Sequence, residues 1–213
     1  MSSDVLVTTP AQRQTEPHAE AVSRNRRQQA TFRKVLAAAM ATLREKSYAD
    51  LTVRLVAARA KVAPATAYTY FSSKNHLIAE VYLDLVRQVP CVTDVNVPMP
   101  IRVTSSLRHL ALVVADEPEI GAACTAAPLD GGADPAVRAV RDRIGAEIHR
   151  RITSAIGPGA DPGTVFALEM AFFGALVQAG SGTFTYHEIA DRLGYVVGLI
   201  LAGANEPSTG GSE

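Results

Sequence analysis

The stretch Leu51–Leu77, LTVRLVAARAKVAPATAYTYFSSKNHL, admits few folds: two short helices around a tight turn, then the capped start of a third helix. Thr52 is a good N-cap, and Val53, Val56, Ala57 and Ala60 recur at i, i+3, i+4 and i+7, the spacing of a one-sided apolar stripe. Lys61 stands where the chain leaves that helix and Val62 supplies a turn hydrophobe. Pro64 suits the first position of the next helix, where its missing N–H would be unpaired anyway. In the second helix Ala65 and Ala67 permit close backbone approach, while Thr66, Tyr68, Thr69 and Tyr70 offer hydroxyls to phosphates or base edges. Phe71 suits the core. Ser72 or Ser73 then caps a longer helix, placing Lys74 and Asn75 where free N–H groups and the helix dipole favour a phosphate. This is the layout of a helix-turn-helix that reads DNA.

Charge supports the same assignment independently. Residues Arg24–Gln88 carry a net charge of +8, residues 89–213 a net −6 and residues 1–23 a net −2, so a formal zero conceals a strongly divided chain. All four lysines (Lys34, Lys46, Lys61 and Lys74) lie in the basic block. That asymmetry is expected of a nucleic-acid module joined to a non-DNA-binding one.

Extended back to Arg33, the run RKVLAAAMATLREKSYADLTVRLVAARAKVAPATAYTYFSSKNHL resembles the DNA-binding domain of the tetracycline-repressor (TetR) family of bacterial regulators. Val35, Leu36, Ala38 and Ala39 fall where that family packs its first helix, Tyr48 follows the end of that helix, and Thr52 caps the second. Tyr68, Tyr70, Phe71, Lys74 and Leu77 fall on the family's aromatic and lysine signature. The chain departs from the pattern at Ser47 and Lys61, where the family commonly has glycine, at Leu55, where an acidic residue is usual, and at Ala63, which replaces a capping serine. A non-glycine residue in a left-handed turn costs about 1 kcal/mol. The resemblance implies an all-α chain of about nine helices, a DNA-binding domain at 24–88 including a linking fourth helix, and a regulatory and dimerisation domain at 89–204. It assigns DNA contacts to Thr52, Arg54, Pro64, Ala65, Thr66, Tyr68, Thr69, Tyr70, Lys74 and Asn75.

Residues 1 to about 23 are polar, contain prolines and show no helical stripe, so they are expected to be a disordered tail, as are residues 205–213. The tail has no apolar leader segment, which fits a bacterial cytoplasmic protein. Arg24, Arg26 and Arg27, leading into the first helix, suit an arm that reaches a minor groove or phosphates, or a solubilising tail. The two cysteines, Cys91 and Cys124, stand 33 residues apart without a CxxC pattern, which argues against a disulfide framework or a thiolate metal site.

Beyond a proline-bearing linker, CVTDVNVPMP, helical patterns recur over 101–115, 120–126, 135–156, 164–180 and 187–202. The uncharged run 170–186 falls short of a membrane span because Gln178, glycines and hydroxyls interrupt it. Its helix has two apolar sides. The resemblance implies a small-molecule pocket in this domain, for which one side, with Leu110, Val114, Cys124, His149, Phe166, Met170, Phe173 and Val177, is the expected lining, suited to a small, largely apolar effector with Glu169 as a polar anchor. The other, Phe172 and Leu176 with Leu193, Gly194, Val197, Gly198 and Leu201, is the expected homodimer interface.

A dimer implies an approximately palindromic double-stranded operator with half-sites about one turn of DNA apart. No nucleophile elbow, phosphate loop, dinucleotide fingerprint, metal-ligand spacing or cofactor motif is evident, so no catalytic residue is expected. Gly157-Pro158-Gly159 follows no strand, and Ser181 lacks an elbow pattern. A helical protein that binds partners or lipid without DNA is the competing class. The basic block and the Tyr70, Phe71 and Lys74 arrangement count against it.

Overall fold

The structure, a computed structural model, describes residues 16–130 and 134–204. Among them the chain is wholly helical: α1 Glu16–Leu43, α2 Val53–Arg59, α3 Pro64–Tyr70, α4 Lys74–Gln88, α5 Met99–Leu112, α6 Pro118–Asp130, α7 Pro135–Ile156, α8 Pro162–Gly180 and α9 Tyr186–Ala204. The residues expected to start and stop helices do so. Thr52 Oγ1 accepts from Leu55 N–H at 3.1 Å, and Ser73 Oγ accepts from His76 N–H at 3.1 Å. Asp134 and Asp161 cap α7 and α8 in the same way. Ala63 leaves α3 without a side-chain cap, but Pro64 at the first position removes one of the N–H groups a cap would serve.

Helix α1 starts at Glu16, inside the stretch expected to be disordered as far as residue 23. Between Ala19 and Leu43 no proline or glycine interrupts a run rich in alanine, glutamine and arginine, so the helix propagates outward from its packed C-terminal half. Arg26 and Arg27 therefore stand exposed on a helix rather than on a flexible arm. Arg24 is also in α1, and the expected C-terminal tail at 205–213 and residues 1–15 lie outside the described residues.

Helices α1 to α3 form the head, closed around Val35, Leu36, Ala39, Leu43, Leu51, Val53, Val56, Ala57, Ala67 and Phe71, all buried. Helix α4 belongs to both halves of the molecule. It packs on α1 at one end and on α6 and α7 along its length. Asp134 Oδ2, at the start of α7, accepts hydrogen bonds at 3.0 Å from the hydroxyls of Ser72 and Ser73. Arg143 of α7 donates to Glu80 of α4 at 2.6 Å. At the far end the buried Arg151 donates to the carbonyls of Val89 and Arg87, where unpaired helix-end carbonyls need partners. The remaining bundle is α5 against α9 and α7, and α8 against α9, α7 and α6.

Helix α8 is long and apolar enough to cross a membrane by length and composition. Its inner face, Val165, Leu168, Phe172 and Leu176, is buried within the bundle. At its end Gly180 permits a close crossing: a Cβ there would come within 2.7 Å of Thr125 Cβ and 2.3 Å of its Cγ2. Thr125 in turn hydrogen-bonds Tyr186, Oγ1 to Oη 2.9 Å, joining α6 to α9.

Candidate nucleic-acid interface and internal cavity

Helix α3 divides cleanly. Ala67 faces inward and is fully buried, while Pro64, Ala65, Thr66, Tyr68 and Thr69 are exposed. Thr69 Oγ1 donates to Ala65 O at 3.0 Å within the helix, which leaves Thr66 and Tyr68 as the groups best placed to reach outward. Thr52 and Arg54 of α2 are exposed beside them, as a groove-facing surface requires. Beneath, Phe71 stacks on Phe32 with centroids 5.0 Å apart, and Tyr70 meets Phe32 edge-on at 6.1 Å. Tyr70 is only partly exposed, so much of this residue serves to hold α3 on α1.

Lys61 adopts φ 52°, the left-handed conformation anticipated for the turn, with Val62 N–H returning to Ala57 O at 2.9 Å. Two residues at the start of α4 correct the expectation of a free phosphate clamp. The Lys74 ammonium donates to the carbonyls of Tyr48 and Ala49, at 3.2 and 3.4 Å, and lies 4.5 Å from the Tyr48 ring centroid. Asn75 Oδ1 accepts from the Tyr48 hydroxyl. Both side chains tie α4 to the turn before α2, because that turn offers helix-end carbonyls and a phenol within reach. The Asp134 carboxylate sits beside the N-terminus of α4, accepting from the Ser72 and Ser73 hydroxyls. Its bonds to Ala136 N–H and to the two serines hold its pKa below the usual carboxylate range.

Between α4, α6, α7 and α8 lies a cavity of about 670 Å3, within the range of small-molecule sites. Tyr82, Cys124, Thr125 and Pro128 form one side; Ile144, Gly145, Ala146, Leu176, Phe173 and Val177 form most of the rest. Besides Tyr82, Cys124 and Thr125, the polar side chains are Arg141, Asp142, His149 and Glu169, with His149 Nδ1 2.8 Å from Glu169 Oε1. Burial pushes both the Tyr82 phenol and the Cys124 thiol well above their ordinary pKa, so both are neutral. Tyr82 Oη is buried and has no hydrogen-bond partner among the described residues.

Of the residues expected to line an effector site, Cys124, His149, Phe173 and Val177 do so, with Glu169. Leu110 and Val114 are buried in the core of α5 and its continuation, away from the cavity. Phe166 and Met170 are 62% and 57% exposed on the outer face of α8. The α8 side expected to line the cavity thus does so only at Phe173 and Val177, while its earlier residues point outward. Phe172 and Leu176, with Leu193, Val197 and Leu201 of α9, are buried inside their own subunit and unavailable to a partner. Gly194 is partly exposed and Gly198 exposed. Both helices present apolar residues at helical spacing on opposite sides, so period alone could not tell inside from outside.

Sequence reasoning missed Tyr82, Thr125, Pro128, Arg141, Asp142, Ile144, Gly145 and Ala146. Gly145 carried a usable signal. A glycine inside a helix costs about 0.5–1 kcal/mol relative to alanine, and here a Cβ would meet nothing within 4 Å.

The structure combines an exposed helix-turn-helix on a buttressed head with a cavity-bearing helical bundle, joined by one helix. Residues 35–81 match the family of bacterial regulatory proteins named tetR. The chain is similar in fold to a TetR transcriptional regulator from Rhodococcus sp. RHA1, with 21% identity, 85% of this chain and 99% of that one covered, and a TM-score of 0.69. It is similar also to a second Rhodococcus transcriptional regulator, with 21% identity, 81% and 96% covered, TM-score 0.60. A third similarity is to SmeT in complex with triclosan, with 20% identity, 86% and 98% covered, TM-score 0.52. Residues 35–81 thus carry a DNA-binding domain of the tetR type, and the chain as a whole shares its fold with TetR-family regulators.

Proposed function

We propose that the protein is a ligand-responsive repressor of the bacterial cytoplasm that binds a pseudo-palindromic operator as a homodimer and releases it when a small, largely apolar effector enters the cavity. One observation carries this reading: α4 runs unbroken from Ser73 and Lys74, beside α3, to Tyr82 in the cavity wall. Helix α7 lines the same cavity and grips α4 at Ser72 and Ser73, at Glu80 and at its C-terminal carbonyls. A ligand that moves α7 against α4 thereby moves the base on which α3 stands. SmeT, solved with triclosan, is a precedent for a small molecule on this fold.

Base reading falls to Thr66 and Tyr68, with Thr52, Arg54, Pro64, Ala65 and Thr69 lying against the DNA and Tyr70, Lys74 and Asn75 placing the helix. Exposed Arg26 and Arg27, with Arg24, add positive charge along α1. The dimer face consists of the outward apolar residues of α8 and α9 that do not line the cavity: Phe166, Met170, Tyr195 and Leu199. Gly198 lies on the open side of α9, where close helix approach is wanted, whereas Gly194 faces Thr104 of α5 in its own subunit. Two subunits packed on this face would form a four-helix interface. No enzymatic role is proposed, and neither a cofactor nor a membrane enters the scheme.

Footprinting of the DNA upstream of the protein's own gene, with salt titration, tests the reading. A protected pseudo-palindrome of about two turns, with affinity falling steeply as salt rises, is expected. Weak, uniform protection of all DNA would overturn sequence-specific regulation at that locus. Thr66→Ala or Tyr68→Ala should weaken operator binding by about 5- to 150-fold, corresponding to 1–3 kcal/mol of base discrimination, with little change on random DNA.

A further inference from the structure

We infer that the cavity's ligand is an amphipathic monocation: an apolar body carrying one protonated amine, which the Glu169 carboxylate receives. This rests on the reading of the cavity as the effector site. The Glu169 side chain is 20% exposed and lines the cavity from α8. Its Oε1 lies 2.8 Å from His149 Nδ1, and its Oε2 makes no hydrogen bond among the described residues. A carboxylate offers about four acceptor positions, so most of them stay available. An ammonium group placed there gains a charge-assisted hydrogen bond at a site largely withdrawn from water, where opposite charges attract most strongly.

The neighbours extend the same chemistry. Phe173 stands one helical turn from Glu169 on the cavity side of α8, where its ring can meet the cation's own carbon atoms. Beyond it Leu176 and Val177, with Ile144 and Pro128, supply apolar surface for the body. Gly145 keeps the middle of the cavity wide, since a Cβ there would meet nothing within 4 Å. Charge elsewhere favours a cation. Arg141 stands eight residues from His149 on α7, about 12 Å by helix rise, and Asp142 beside it offsets its charge. Residues 89–213 carry a net −6, so the field of the bundle attracts cations. Because His149 reaches Glu169 from α7, a ligand that engages this carboxylate acts on the helix that grips α4.

The test uses the full chain and three probes of one body: octylammonium, 1-octanol and octanoate, titrated by calorimetry at neutral pH into the wild type, Glu169→Gln and Asp142→Asn. The wild type should prefer octylammonium over 1-octanol by roughly tenfold, and octanoate should bind weakest. Glu169→Gln keeps the size of the side chain and a partner for His149 and removes only the charge. It should bind 1-octanol as the wild type does, which shows the cavity intact, and show no preference for octylammonium. Asp142→Asn removes a charge about two turns away on α7 and should keep the preference.

Equal binding of octylammonium and 1-octanol by the wild type would overturn the assignment. Strongest binding of octanoate, or binding of none of the probes, would do the same, and this ranking is decisive whether or not the variants fold. A preference that survives Glu169→Gln, or one that is lost in Asp142→Asn, also overturns it. Operator affinity at saturating octylammonium is measured in parallel. Glu169-dependent binding that leaves operator affinity unchanged upholds the ligand class while removing the regulatory reading.

Discussion

The head and the C-terminal bundle treat their interiors in opposite ways. Around α3, Ala57, Ala67 and Phe71 are fully buried, Phe71 stacks on Phe32, and Lys74 bonds to the turn before α2. Around α7, a helix glycine faces open space, a tyrosine hydroxyl has no partner among the described residues, and about 670 Å3 stays unfilled by side chains. Close packing resists deformation and holds a recognition surface in one geometry, whereas a cavity leaves room for a second arrangement. The contrast matches the proposed division into a reader and a sensor, and α4 is shared by both.

The largest expected effect breaks the reader. Phe71→Ala should cost about 3–5 kcal/mol, enough to expose residues 33–70 to limited proteolysis and abolish DNA binding, while the α5–α9 bundle stays resistant. Digestion of both halves together would show that the head has no separate stability. Next comes Gly180→Ala, which drives a methyl group into Thr125 behind the cavity and should lower stability by about 1–3 kcal/mol, read as a fall in the denaturation midpoint.

Two substitutions of smaller effect sharpen the contrast, both in the stabilising direction. Lys61→Gly relieves a positive φ and should gain up to about 1 kcal/mol, read as a rise in the denaturation midpoint. Gly145→Ala places a methyl in open space and should gain about 0.5–1 kcal/mol. A destabilised Gly145→Ala would mean that the cavity is closed in solution.

The smallest effect tests the contact between the halves through pH. Burial of Glu80 opposes its ionisation, but the His76 imidazole 3.8 Å away and the hydrogen bond from Arg143 outweigh it and hold its pKa below the usual range. A carboxyl with a depressed folded pKa contributes stability that is complete above its ordinary value of 4.5 and is lost as pH falls through the folded value. Denaturation midpoints measured from pH 6 downward should therefore fall less steeply for Glu80→Gln than for the wild type. Identical slopes would remove Glu80 from the linkage.

Local signals carried much of this molecule into its sequence. Thr52, Ser73, Pro64 and Pro135 mark helix starts through their own hydrogen-bonding and φ preferences, and the i, i+3, i+4 stripe at Val53–Ala60 has only one face to bury. The turn at Lys61 and the outward hydroxyls of α3 follow from the same local rules. Such features depend on residues within about one helical turn of each other, so a linear reading reaches them.

Tertiary structure alone decided which side of α8 faces inward, because Phe172 and Phe173 sit on different faces of one helix and only its neighbours determine which is covered. It also brought Tyr82, Cys124, Gly145 and Glu169 to one cavity from four helices, and set Asp134 against Ser72 and Ser73 across sixty residues of chain. Those juxtapositions depend on how helices cross, and crossing is set by the sum of many side-chain volumes rather than by any pattern along the chain.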